Sequence, residues 1–159
     1  IRMVVQGLTI DAASNSPILI LKDPEGEATL PIWIGLLEAT AIASELEKVA
    51  FSRPMTHDLL RNLIGQLGWR VDRIEVVDLK DNTFYALIHL AGPQGSMSVD
   101  SRPSDAIALA LRAEAPIFVD PKVLERAGAA SPAESEDAEQ KWKDLLEKMD
   151  PEDFGKYKM

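Results

Sequence analysis

The 159-residue chain contains no cysteine. That excludes disulfides, thiolate metal sites and a cysteine nucleophile, and it suits a reducing compartment. Histidine is scarce: His57 and His89 are the pair, without metal-type spacing, so a zinc site is not expected. No apolar run approaches the ~18–20 residues that a membrane-spanning helix needs. Positive charge is in deficit, with 17 Lys+Arg against 26 Asp+Glu and a net charge of −9. Proteins held to nucleic acid by phosphate contacts usually present a basic surface. Any nucleic-acid chemistry here must therefore use a local basic patch or bridging metal ions. Glycine-rich phosphate loops, a dinucleotide fingerprint and a Gly-x-Ser-x-Gly elbow are all missing. Ile1-Arg2-Met3-Val4-Val5 lacks the basic region, apolar block and small-residue cleavage site of a signal peptide. A cytoplasmic protein with no membrane association is the expectation.

The hydrophobic fraction, 46%, is ordinary for a globular chain, and the length suits one domain. Strand-type runs cover 3–10, 17–22 and 28–34, and Asp23-Pro24-Glu25-Gly26 makes the last two a hairpin. Apolar residues at 36, 39, 42, 43, 46 and 49 follow helical spacing. A second helix spans 57–67, capped by Thr56 and stopped by Gly68. Strands 69–79 and 83–91 flank Lys80-Asp81-Asn82, and a short strand follows at 96–100. Ser104 or Asp105 caps a helix to about Ala113, Pro116–Val119 is a strand, and Asp120-Pro121 opens a last short helix. The order βββααβββαβα breaks strict βα alternation. It predicts an α+β fold: a mixed β-sheet with helices packed on it, in one compact domain over 1–127. Residues 128–136 read as a linker. Residues 137–159 read as an acidic helical tail, with Trp142, Leu145, Leu146 and Met149 on one stripe. The body carries 12 basic and 17 acidic residues, net −5; residues 128–159 carry 5 and 9, net −4. The tail's stripe suits its own domain, a neighbouring subunit or a protein partner.

An imperfect repeat is the most distinctive local feature. Ser52-Arg53-Pro54-Met55-Thr56-His57-Asp58 precedes one helix, and Ser101-Arg102-Pro103-Ser104-Asp105 precedes another. Helix capping alone explains the pattern: proline rigidifies the start, Thr or Ser caps, and Asp suits the helix dipole. The functional reading brings two helix N-termini together. Arg53 and Arg102 then hold a phosphate, while Asp58, Asp100 and Asp105 bind a divalent metal. His57 suits a general base or a local hydrogen bond; His89, inside a strand, suits a structural role. Glu38 complements a helix dipole or serves as a further carboxylate ligand.

Four ordered blocks resemble one family. They are Leu30-Pro31-Ile32-Trp33-Ile34-Gly35 with Glu38-Ala39, then Arg53 to Leu59, then Asp81-Asn82-Thr83-Phe84-Tyr85-Ala86, then Ser101 to Ala110. This resembles the bifunctional nuclease domain family over about residues 3–127. The resemblance implies cleavage of both DNA and RNA, without an agreed catalytic mechanism. Its polar motif positions supply the candidates Glu38, Arg53, His57, Asp58, Arg102 and Asp105; Asp100 is added on chemistry alone. A metal-dependent nuclease is thus expected, with His57, Asp58, Arg53, Arg102 and Asp105 in catalysis. Glu38, Asp58, Asp100 and Asp105 are the expected ligands to Mg²⁺ or Mn²⁺. The rival is a non-catalytic, oligomeric binding module, a dimer by preference, whose tail recruits a partner. The net charge favours the rival. Convergence of at least three of the named polar groups in one cleft would favour the nuclease.

Overall fold

The structure is a computed structural model and describes residues 1–128. The expected linker from 129 and the tail lie outside the described residues. The elements are β1 (Arg2–Ile10), β2 (Pro17–Lys22), β3 (Thr29–Trp33), α1 (Leu36–Leu46) and α2 (Thr56–Gln66). They continue with β4 (Arg70–Lys80), β5 (Thr83–Gly92), β6 (Gly95–Ser101), α3 (Pro103–Ala113), β7 (Ile117–Val119) and α4 (Pro121–Arg126). The expected order βββααβββαβα is the observed one.

Seven strands form a single mixed sheet in the order β3-β2-β1-β7-β4-β5-β6. Every neighbouring pair is antiparallel except β4 and β7. The chain reaches β7 only after β5, β6 and α3, a crossover long enough for a parallel pairing. Strand alternation sends Ile74 and Val76 of β4 and Ala86 of β5 into the core, against Ala106, Ile107 and Ala110 of α3. Ala106 to Ala110 are all buried, since α3 lies between the sheet, α1 and α2.

Helix ends differ from expectation where the stop is not a glycine. The apolar pattern extends α1 to Val49, but the helix ends at Leu46. Lys48 adopts a left-handed φ of 55°, and the amides of Lys48 and Val49 donate to the carbonyls of Glu45 and Ser44. That is a Schellman closure, normally marked by glycine. Gly68 closes α2 in the same way at φ 83°, as its sequence position predicts. The N-caps also shift. Met55, not Thr56, caps α2, and its amide donates to Asp58 at 3.0 Å. Arg102, not Ser104 or Asp105, caps α3, with Pro103 at the first helical position.

Helix α2 is weakly covered. His57 is its one buried residue, and its main contacts are with α3 and β4. Of the apolar side chains at helical spacing here, Ile64 is half-buried, but Leu59, Leu60, Leu63 and Leu67 are 50%, 39%, 49% and 74% exposed.

Candidate active site

A cleft of about 320 Å³ opens where the N-termini of α1, α2 and α3 meet. Glu38, His57, Arg102, Asp105 and Arg112 supply its charged and titratable lining, and Leu37, Phe51 and Met55 contribute apolar walls. Four of the residues singled out in the sequence therefore share one cavity.

His57 sits in the first turn of α2, largely buried, with its Nε2 3.0 Å from Asp105 Oδ1. Asp105 stands in the first turn of α3, so each helix start contributes one half of the pair. The other Asp105 oxygen accepts from Arg102 Nε at 2.9 Å. Arg102 Nη2 donates to Glu38 Oε1 at 2.7 Å and lies 2.9 Å from Asp105 Oδ2. A guanidinium thus spans the two carboxylates. Burial pushes the Asp105 carboxyl up, but the hydrogen bonds from His57 and Arg102 and the Arg102 charge outweigh it and hold the group below its ordinary value. Arg102 is held more firmly protonated than usual by Asp105 first and Glu38 second. The Glu38 carboxylate folds back over Gly35, the α1 N-cap, into space that a Cβ would take.

Asp58 lies behind this group and does different work. Its Oδ1 accepts from Arg112 Nε at 2.8 Å. The Arg112 side chain is 3% exposed. Its Nη2 donates to the Ala41 carbonyl of α1 at 3.0 Å, and its Nη1 to Ala108 within α3 at 2.9 Å. One buried guanidinium therefore joins α1, α2 and α3 beneath the cleft. Burial raises the Asp58 carboxyl, yet the Met55 amide and Arg112 prevail and depress it. Sequence reading missed Arg112. Its signal was an arginine on the apolar stripe of α3, at helical spacing from Asp105, Ala108 and Leu109.

Besides Asp58, two candidates fall outside the cleft. Arg53 is exposed, holds no side-chain partner among the described residues and does not line the cavity. Asp100 lies on β6 opposite Leu87. Alternation puts it on the same sheet face as His89 and Ser98, whereas Ala86 of β5 faces the core. On that face His89 bridges Ser98 Oγ at 2.8 Å and Glu75 Oε1 at 3.1 Å, which accounts for the second histidine.

These positions bear on the expected metal set. Asp58 is spent on Arg112, Asp100 is on another face, and Arg102 stands between Glu38 and Asp105. No group of three or more His, Asp or Glu side chains is disposed to hold a metal ion among the described residues. The four carboxylates do not fit a shared divalent ion as arranged: guanidinium groups hold Glu38, Asp105 and Asp58, and Asp100 lies on the other face of the sheet. No described helix is long and apolar enough to cross a membrane.

Known proteins show where this arrangement belongs. The sequence pattern of the bifunctional nuclease domain matches residues 19–132. An uncharacterised protein of Mycobacterium tuberculosis is 41% identical over 159 residues, covering 94% of this chain and 95% of its own length. Bifunctional nuclease 1 of Arabidopsis thaliana is 25% identical over 144 residues, covering 83% of this chain but 44% of the plant protein. Bifunctional nuclease 1 of rice is 23% identical over 116 residues, covering 71% of this chain and 35% of its own. The family match spans more than half of the chain and includes every polar group of the cleft, so the chain belongs to the bifunctional nuclease domain family.

Proposed function

We propose that the cleft hydrolyses phosphodiester bonds in DNA and RNA, with His57 as general base and Arg102 as the phosphate anchor. The observation that supports this reading is the His57–Asp105–Arg102–Glu38 chain, a histidine and an arginine joined through one carboxylate in one cavity. An ionised carboxylate only accepts hydrogen bonds, so Asp105 fixes the proton of neutral His57 on Nε2. Nδ1 is then the basic nitrogen. Arg102 uses Nε and Nη2 on the two carboxylates, and its Nη1 remains to donate to a phosphate oxygen. In the hydrolytic step a water oxygen bonds to phosphorus and its proton passes to His57 Nδ1. The P–O bond to the leaving oxygen breaks, and that oxygen takes a proton from solvent. Arg102 offsets charge gathering on the phosphate oxygens. Glu38 and Asp105 hold Arg102 in place.

Asp58 belongs to the scaffold in this reading, and Arg53 to the outer surface. A divalent ion has no ready site here: it would have to displace Arg102 from Glu38 and Asp105. Metal dependence is therefore an arm of the experiment. Wild type and His57→Ala, purified identically, are incubated with labelled DNA and RNA in Mg²⁺, Mn²⁺ or EDTA. Cleavage lost in the variant supports the reading. Equal cleavage by both indicates a contaminating nuclease and overturns it. The second reading, an oligomeric binding module, draws on the net charge of −9 and the exposed apolar face of α2. It predicts no turnover in any arm and association that changes with substitutions on α2.

A further inference from the structure

We propose that the exposed apolar face of α2 is the docking seat of the chain's own residues 137–149. The proposal stands apart from the nuclease reading. Helix α2 has 11 residues and one buried side chain. A helix that short is marginal unless an amphipathic face is packed. Its α3 side is packed, but Leu59, Leu60, Leu63 and Leu67 form an uncovered row on the other side. Met55, one turn earlier, is 48% exposed and carries the row to the cleft. Contiguous apolar surface of this kind marks an interaction site.

Two observations select the occupant. Spacing is the first. Trp142, Leu145, Leu146 and Met149 recur at helical intervals, a ridge suited to packing along a second helix. Reach is the second. Eight residues, 129–136, separate the described domain from this segment, and they span up to about 26–29 Å when extended. A domain of this size has a radius of gyration of about 14 Å. Helix α4, from which the tether leaves, and α2 both contact β4. A short tether also gives an effective concentration in the millimolar range. That favours the attached segment over a second copy of the chain at micromolar protein.

The absence of cysteine makes the test clean. Leu63→Cys/Leu145→Cys is introduced into the full chain and oxidised mildly at micromolar concentration. Non-reducing electrophoresis then separates bonds within a chain from bonds between chains. The control is Glu27→Cys/Leu145→Cys, with Glu27 exposed on the β2–β3 turn. The expected result is an intramolecular disulfide forming about tenfold or more faster than in the control. Disulfides forming only between chains overturn the proposal and assign the face to a second copy. No preference over the control, in protein that melts like wild type, overturns it as well. Leu60→Cys/Trp142→Cys replaces the first pair if that variant does not fold, and the same two outcomes decide.

Discussion

The segments 52–58 and 101–105 are alike in sequence and opposite in use. Each offers arginine, proline and an acid at a helix start. In the second segment both charged residues face the cleft: Arg102 spans two carboxylates, and Asp105 holds His57. In the first segment Asp58 turns to the buried Arg112, while Arg53 stays in solvent. The helix start supplies the same local geometry twice. What differs is the partner that the fold brings from elsewhere. Asp58 meets a residue 54 positions away, and Asp105 meets one 48 positions away. A local motif thus fixes where a side chain begins, and tertiary contact fixes what it does.

The largest expected effect separates the two acids by stability. Asp58→Ala leaves the Arg112 guanidinium buried without its carboxylate, and Arg112→Ala removes the junction of three helices. Each is expected to cost about 3–5 kcal/mol, the usual loss when one partner of a buried pair is removed. Chemical denaturation measures this directly; a change below about 1 kcal/mol for Asp58→Ala would refute its scaffold role.

The next effect lies on turnover. His57→Ala is expected to slow single-turnover cleavage by about 10²–10⁴-fold, the usual share of a general base. Asp105→Asn should follow it, since the tautomer of His57 is no longer fixed. Circular dichroism on the same samples confirms that fold loss is not the cause. Arg102→Ala should weaken substrate binding by about 10- to 100-fold, the worth of a charge-assisted hydrogen bond. Arg53→Ala should change it by about threefold or less, as befits a screened surface charge. Titration of a labelled oligonucleotide against both variants ranks the two arginines, and a larger loss from Arg53 would reverse the comparison.

The smallest effect is on acid stability. Both aspartates have depressed carboxyl pKa values in the folded state. Their contribution is fully present above the unfolded value of about 3.9 and is lost as pH falls through the lower folded values. Denaturation midpoints measured from pH 6 down to pH 2 should therefore drop below about pH 4. Asp58→Asn should flatten that acid limb, and an unchanged limb would mean that Asp58 gains nothing from Arg112.

Much of the fold was legible because each element has its own periodicity and Gly68 and Pro121 punctuate it. The family was legible from the four ordered blocks. The site was legible only in part. His57, Arg102, Asp105 and Glu38 stand in those blocks, but their convergence depends on α1, α2 and α3 meeting at one end. Nothing in a linear pattern distinguishes Asp58 from Asp105, because the decisive residue, Arg112, looks like an ordinary last-turn cation on α3. Asp100 lies on the sheet face away from the cleft because a one-residue step along β6 changes the face that a side chain occupies. The early end of α1 was hidden because Lys48 takes a left-handed conformation that sequence normally assigns to glycine.

The most direct test sets the two acids against each other in one experiment. Wild type, Asp58→Asn and Asp105→Asn are compared in single-turnover cleavage of labelled DNA and RNA, at a temperature where all three are folded. The account predicts that Asp105→Asn loses cleavage while losing less stability than Asp58→Asn, and that Asp58→Asn cleaves near the wild-type rate but unfolds more easily. Loss of cleavage in a well-folded Asp58→Asn, with Asp105→Asn still active, would contradict it.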